Sequence, residues 1–458
     1  MEKEGEHSMT EKINDLFKAV LKSSWYPGIL RWPTAIVFAV IVFDLLFGDS
    51  SPHYNFGTAM TWIFWWSIIP LTFLVFGRVW CAICPFATLS DLVQKFVGNH
   101  RPVPKFLKKY GIWIIDFVYV LITWSDHVFG MVEYPRGSGV IMLLLITGVV
   151  VSGAFFERRT WCRYLCFLGG LSGNYSRSAA LELRGTPEKC QKCKVAACYK
   201  GGEKAPGCPM FEFPRTMDSN ARCNFCGYCV KNCPNDSIKL SVRMPSKELW
   251  FIRSPKLDEA FLAVIIMGIV FVQNITMLEI WANAQHQLEM FLGTDNYAVT
   301  FTVIFAIAMA IPVLLLYIAS WLGSRMNKES IRSNFSRFGY SLIPLDFSGH
   351  MAHNLFHLFA EGKAVFYTAM AMFGMKEHPA STAVLSGGTI EVMQFTLLLL
   401  GALGSMYTAY RIAKSKYGKE PANDGKAKIQ SYLPYAVLIF LLTLLNIYIF
   451  LLPMSHRA

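Results

Sequence analysis

The sequence predicts an all-α polytopic membrane bundle of about nine transmembrane helices, interrupted once by a small cysteine-rich domain. Three observations predict it. Hydrophobic residues make up 53% of the 458 positions and charged residues only 16%, a composition of membrane rather than globular proteins. Nine apolar stretches, at about 32–47, 58–76, 111–129, 138–156, 259–280, 298–321, 340–359, 391–411 and 433–453, reach or approach the length that crosses a hydrocarbon core of about 30 Å. All twelve cysteines fall between positions 81 and 233.

The first stretch is short and carries Asp44, and the seventh, with Pro344, Asp346 and three histidines, is the least apolar. The basic residues orient the series. With the N-terminus inside, segments 1–33, 77–110, 157–258, 322–339 and 411–432 hold 39 of the 43 Lys and Arg; Arg136, Lys363, Lys376 and Arg457 remain outside. That asymmetry is the positive-inside rule. The net charge of +12 is then a topology signal, and no nucleic acid is expected as a partner because no basic face or binding motif accompanies it. The first 30 residues are charged and lack an apolar core, so no cleavable signal peptide is expected. Residues 412–430 read as a solvated polar loop, and Trp25, Tyr26, Trp32, Tyr54, Trp124, Trp281 and Tyr435 as interface anchors. The expected setting is the prokaryotic plasma (inner) membrane, multi-pass and in contact with lipid, with the cysteine-rich domain cytoplasmic, where thiols stay reduced.

The eight downstream cysteines carry the chemistry. Cys223, Cys226, Cys229 and Cys233 with Pro234 spell C-x2-C-x2-C-x3-C-P. In this bacterial [4Fe–4S] pattern three close thiolates hold one cluster and the fourth reaches to the other. Cys190, Cys193, Cys198 and Cys208-Pro209 supply the partner half. The expected ligand sets are Cys190/Cys193/Cys198/Cys233 and Cys223/Cys226/Cys229/Cys208. The chain thus divides into an N-terminal cytoplasmic segment (1–31), a four-helix membrane region with two Cys pairs (32–184), a dicluster ferredoxin-like domain (185–245) and a five-helix membrane region (258–458).

The other four cysteines repeat their surroundings. Arg78-Val79-Trp80-Cys81-Ala82-Ile83-Cys84-Pro85 and Arg159-Thr160-Trp161-Cys162-Arg163-Tyr164-Leu165-Cys166-Phe167 end two helices expected to run in the same direction. Four thiolates brought together would suit a third iron–sulfur cluster, zinc, or a soft ion such as Cu(I). The plainer alternative is burial of free cysteines as small hydrophobes.

This order of helix, Cys pair, two helices, Cys pair, Leu168-Gly169-Gly170-Leu171, Ser176-Arg177 and dicluster ferredoxin resembles the membrane-bound polyferredoxin family that includes NapH, NosR and CcoG. The resemblance covers about residues 30–245. It implies a multi-pass protein that passes electrons between the quinone pool, or a cytoplasmic donor, and a redox partner, in anaerobic respiration or in cofactor and copper maturation. The family's Cys pair is C-x3-C-P, whereas here the first is C-x2-C-P and the second C-x3-C-F. The gap of nine residues between Cys198 and Cys208, in place of three, implies a loop.

Beyond about 258 the residues speak alone. His350, His353 and His357 are spaced i, i+3, i+7 and share one helical face. Ionisable groups at membrane depth default to function, and imidazole ligates haem iron or copper and hydrogen-bonds a quinone carbonyl. Packing glue between helices is the competing role. His286 and His127 are candidate second ligands, and Asp44, Asp116 and Asp346 candidate proton carriers. The function read from the chain is electron transfer between a quinol or membrane redox centre and a partner through two [4Fe–4S] clusters, as a quinol-dehydrogenase-type oxidoreductase subunit. The alternatives are a cupric reductase or copper-handling protein, and a membrane anchor for a partner redox enzyme.

Overall fold

The computed structural model describes residues 14–376, 379–417 and 424–453. Helix accounts for 72% of the chain, and among the described residues the sheet is one antiparallel pair. From the N-terminus come α1 (Gly28–Phe47), a π-helical turn at Ala59–Trp65, α2 (Trp66–Phe76), α3 (Trp80–Ile83), α4 (Pro85–Val97), α5 (Lys105–Phe129) and α6 (Pro135–Phe155). The middle of the chain holds α7 (Thr160–Tyr164), α8 (Phe167–Tyr175), β1 (Leu181–Gly185), α9 (Tyr228–Asn232) and β2 (Ile238–Val242). The last part holds α10 (Leu257–Ile275), α11 (Ile280–Leu292), α12 (Tyr297–Asn327), α13 (Ile343–Ala360), α14 (Gly387–Tyr417) and α15 (Asp424–Leu451).

Among the described residues, eight helices are long and apolar enough to cross a membrane, counting Phe56–Val97 as one interrupted run. The ninth expected crossing is present as α13 but falls outside the eight, because Asp346, Ser348, three histidines and Asn354 dilute its apolar content. Every residue from Ile343 to Leu355 is instead buried, so neighbouring helices, not lipid, surround its polar groups. The polar loop expected at 412–430 is narrower: helix runs to Tyr417 and resumes at Asp424, and residues 418–423 lie outside the described ones. Arg457 and the start of the N-terminal segment lie outside them as well.

The chain forms two compact units. The first comprises Met1–Val42, Leu71–Gly111 and Ile141–Glu248. Here β1 and β2 alternate apolar and polar residues, and their register sets Leu181 opposite Val242 and Gly185 opposite Ile238. Leu181, Leu183, Ile238 and Leu240 consequently share one face and bury it with Leu21, Tyr26, Met217, Phe225 and Val230. Burial of each such large apolar side chain is worth about 1.5–3 kcal/mol. Cys223, Cys229 and Cys233 pack against the same cluster. Glu248 fastens this core: it pairs with Arg184 and Arg243 and accepts from Ser219 Oγ at 3.0 Å and the Asn220 amide at 2.9 Å.

The second unit comprises Phe43–Pro70, Ile112–Val140 and Leu249–Ala458. Its centre is α10, against which α12 and α13 pack, while α14 packs on α13 and α15 on α14. The closest approach is at Gly401: a Cβ there would sit 1.8 Å from Ser348 Oγ and 2.8 Å from the Pro344 carbonyl. A hydrogen atom in place of a side chain is what lets α13 and α14 touch backbone to backbone.

Candidate metal centres and redox cavity

In the first unit, the strand pair delivers the cysteines. Thr186, just past β1, and Cys190 on the following turn meet the loop between Cys233 and β2. Both Cys190 Sγ and Cys233 Sγ lie 3.3 Å from Ser237 Oγ. Burial first, and then Cys233, Cys190 and Cys193, pushes the Cys198 thiol up to about 11. These four are the first expected ligand set. Cys208, Cys223, Cys226 and Cys229, the second, line a cavity of about 370 Å³ with Leu183, Met217 and Phe225. Burial and then Cys208 push Cys226 up to about 12. Cys229 is raised well above its ordinary value by burial and then by Cys223, Cys226, Cys208 and Cys198, so the two sets adjoin. Thiols that resist ionising singly are the ones a bound cation would ionise together. Eight soft sulfur donors in two adjoining sets fit two [4Fe–4S] clusters.

The long loop between Cys198 and Cys208 is held by one side chain. Asn232 donates to the Ala205 carbonyl at 2.7 Å and accepts from its amide at 3.1 Å.

The Cys81/Cys84 and Cys162/Cys166 pairs lie in the same unit, and the structure brings them together. Burial first, and then Cys162, Cys84 and Cys81, raises the Cys166 thiol well above its ordinary value. Gly77, at φ +58°, makes the left-handed break between α2 and α3, and a Cβ there would meet Ser176 and Ala179 at 3.3 Å. That break positions Arg78, 3% exposed, whose Nε donates toward Cys81 Sγ at 3.5 Å and whose Nη atoms donate to the Cys162 carbonyl at 3.1 Å and the Ala221 carbonyl at 2.8 Å. The sequence flagged the paired cysteines but not this arginine. Its signal was the residue's place in the repeated Arg-x-Trp-Cys flank.

Among the described residues no three His, Cys, Asp or Glu side chains converge closely enough to hold a single metal ion. This holds for all three thiol sets. A cubane, which takes its thiolates at separate corners, does not need such convergence.

The second unit holds a partly open cavity. It is lined by Trp62 and Trp66 from the π-helical turn and α2, Asp126 and His127 from α5, Gln273 and Thr276 at the end of α10, and His353, His357 and Glu361 from α13. His353 and His357 rings stand edge to face at 4.9 Å. His353 Nδ1 lies 3.1 Å from Asn274 Oδ1, and His357 Nδ1 lies 3.2 Å from Glu361 Oε2. His127 Nδ1 lies 2.8 Å from the Thr123 carbonyl and 3.8 Å from Asp126 Oδ2, with its ring stacked on Phe301.

Of the expected histidines, His353 and His357 therefore share one cavity with His127. His350 is fully buried on the same helix and its ring centre is 6.1 Å from that of Trp66. His286 is exposed on α11, 3.7 Å from Glu289, and does not line the cavity. Asp44 is a structural acceptor: its Oδ2 takes the Gly57 amide at 2.9 Å. Both oxygens of buried Asp116 lack a hydrogen-bond partner among the described residues.

A family model for a 4Fe–4S binding domain matches residues 58–104 and again 138–183, and a second 4Fe–4S binding domain model matches 219–239. YccM of Escherichia coli K12, a protein named for electron transport, is 26% identical over 231 residues, or 43% of this chain and 60% of that protein. Two Methanocaldococcus jannaschii proteins, the uncharacterized MJ0750 and MJ0749, are each 25% identical, over 38% of this chain and 76% and 68% of their own lengths. The chain thus spans about 60% of the E. coli relative. No solved structure matches. The chain carries 4Fe–4S binding domains.

Proposed function

We propose that this is a membrane-bound iron–sulfur electron-transfer protein that oxidises a quinol in the His353/His357 cavity and passes the electrons to [4Fe–4S] clusters held by Cys190/Cys193/Cys198/Cys233 and Cys208/Cys223/Cys226/Cys229. The observation that carries the reading is the cavity lining, where two indoles, three imidazoles and two carboxylates meet. Flat aromatic walls suit a quinone ring, and the polar groups suit its two oxygens. The 4Fe–4S domains and the relative named for electron transport support the acceptor side.

The residues divide the work. Asn274 donates its amide hydrogen to the Val270 carbonyl at 2.8 Å, so its oxygen faces His353 and the Nδ1 of His353 carries the hydrogen. Nε2 of His353 is then a base for one quinol hydroxyl. His357, backed by Glu361, supplies the second base and the way out, and His127, held through Nδ1 by the Thr123 carbonyl and through Nε2 by Thr276 Oγ1, lines the site. A hydroquinone bound here would give up its two protons to these groups. When bound, the clusters supply one-electron acceptance.

The Lys and Arg asymmetry supports placing the thiol sets on the cytoplasmic side of a prokaryotic inner membrane and the loop at His286 on the other. Reporter fusions after Lys200 and after Gln287 are then expected on opposite sides. The central test adds a reduced quinol to anaerobically purified protein in lipid nanodiscs and follows the clusters by electron paramagnetic resonance. Reduction is expected in the wild type and not in His353→Ala, with iron content equal in both. Equal reduction in both would return the histidines to a packing role and favour a plain anchor for a redox partner.

A further inference from the structure

The proposed reaction releases two electrons per quinol, and turnover requires that they leave the protein. The first unit offers an exit beside Cys193 and Cys198. Both are half-buried, whereas Cys223, Cys229 and Cys233 pack against the apolar core of the unit. Between Cys193 and Cys198 runs Lys194-Val195-Ala196-Ala197. Ala196 takes the left-handed conformation at φ +52°, and its carbonyl accepts the Tyr199 and Lys200 amides, each at 3.0 Å. That tight turn leaves Val195 60% exposed. A left-handed alanine is uncommon and persists where its surroundings hold it. An apolar tip thus stands in solvent within three residues of two thiols.

The charge around the tip is one-sided. Lys189, Lys192, Lys194, Lys200 and Lys204 are exposed, against Glu188 and Glu203. None of these five lysines is in an ion pair among the described residues, although elsewhere in the unit Lys18 and Lys22 meet Asp236 and Arg163 meets Glu157. Topology does not account for them, because the positive-inside rule has a weak hold on a segment as long as 157–258. Two of the lysines sit on the insertion between Cys198 and Cys208. It closes on itself through a bridge between Gly201 and Pro206 and is pinned at Ala205 by Asn232. Gly207 allows the return, since a Cβ there would sit 2.2 Å from the Tyr199 carbonyl. The loop therefore holds Lys200 and Lys204 in fixed places beyond Cys198.

We infer that residues 189–204 form a docking surface for an acidic one-electron carrier protein, which takes electrons from the Cys190/Cys193/Cys198/Cys233 site. Lysines steer an acidic partner into encounter and set its orientation. A small contact centred on one apolar tip suits a transient redox complex, which need last only while one electron crosses. Anionic lipid would be drawn by the same charge but has no use for thiols at the centre of the patch. Per quinol, two carrier molecules are each reduced by one electron, the quinol becomes quinone, and its two protons pass to the histidine cavity. The inference deepens the iron–sulfur reading above, and its test does not involve the quinol.

The test uses the full-length chain, purified anaerobically in phosphatidylcholine nanodiscs, reduced with dithionite and freed of the excess. It is mixed in stopped flow with oxidised flavodoxin, an acidic one-electron carrier, or with oxidised cytochrome c, a basic one. Formation of the flavodoxin semiquinone is expected to slow about tenfold between low and high salt. At low salt it should slow about tenfold in Lys192→Glu/Lys194→Glu/Lys200→Glu with iron content unchanged, while reduction of cytochrome c by the same variant quickens. Flavodoxin rates indifferent to salt and to the three substitutions would overturn the docking surface, as would an equal slowing of both carriers. A salt effect seen only in phosphatidylglycerol nanodiscs would overturn it too, assigning the lysines to lipid headgroups. Protein that takes up no electrons from dithionite would sink the iron–sulfur reading and this inference with it, whereas failure of quinol to reduce intact clusters would sink the quinol alone.

Discussion

The Nδ1 of His353 sits 3.1 Å from the side-chain oxygen of Asn274, on a helix neighbouring its own, and the nitrogen of that amide is already spent on Val270. One buried amide therefore fixes which ring nitrogen of His353 carries the hydrogen. Replacing Asn274 with Leu would leave a buried N–H unsatisfied, at about 1–3 kcal/mol, and free the ring to take the other tautomer. The expected outcome is a rise in the KM for quinol of about tenfold with iron content unchanged, read by steady-state quinol oxidation.

Glu361 Oε2 stands 3.2 Å behind His357 Nδ1. Glu361→Gln keeps shape and hydrogen bonding but removes a base. Loss of a positioned base typically costs about 100-fold, so turnover should fall toward that limit while KM moves little. Stopped-flow cluster reduction by quinol reads the loss.

Outside the membrane, Asp236 receives Lys18 at 2.6 Å and Lys22 at 2.9 Å. These hydrogen bonds lower its carboxyl to about 2, against about 3.9 in an unfolded chain. A folded value below the unfolded one gives stability that is present above pH 4 and lost as the pH falls through about 2. The carboxylate is 56% exposed, so the contribution is small and screened by salt. Hydrogen exchange of residues 14–22 should quicken below about pH 4, and Asp236→Asn should show the quicker rate at neutral pH.

Gly401 permits the contact of α13 and α14, and Gly401→Ala should destabilise the second unit by about 1–3 kcal/mol through overpacking. Thermal unfolding in detergent reads this. Ser348→Ala in the same chain should recover only part of the loss, because the Pro344 carbonyl, 2.8 Å from the added carbon, does not move with it.

What the sequence revealed and what it hid follow from range. Cysteine spacing is local, so the eight thiols from Cys190 to Cys233 could be grouped into two expected sets from a few tens of residues. Helical periodicity is local too, so His353 and His357 could be set on one face, yet nothing in that period told that His350 would turn toward Trp66. The choice of His127 over His286 depends on how α5 and α11 lie in the second unit, which no pattern along either helix encodes. Arg78 was hidden for a different reason. The repeated Arg-x-Trp-Cys flank marks it as part of a motif, but its near-complete burial is set by the fold.

The π-helical turn at Ala59–Trp65 carries one residue more than an α-helical turn would. Trp62 from that turn and Trp66 just after it face the same cavity, and Trp62 is further held by its indole N–H donating to Ser138 Oγ at 2.9 Å. Removing a single residue here would heal the turn into regular α-helix and swing everything on one side of it by about 100°. The stretch is therefore a register lock: it can exchange side chains freely at its lipid-facing positions, but it cannot change length. Insertions and deletions, rather than substitutions, are the changes this segment is least able to absorb.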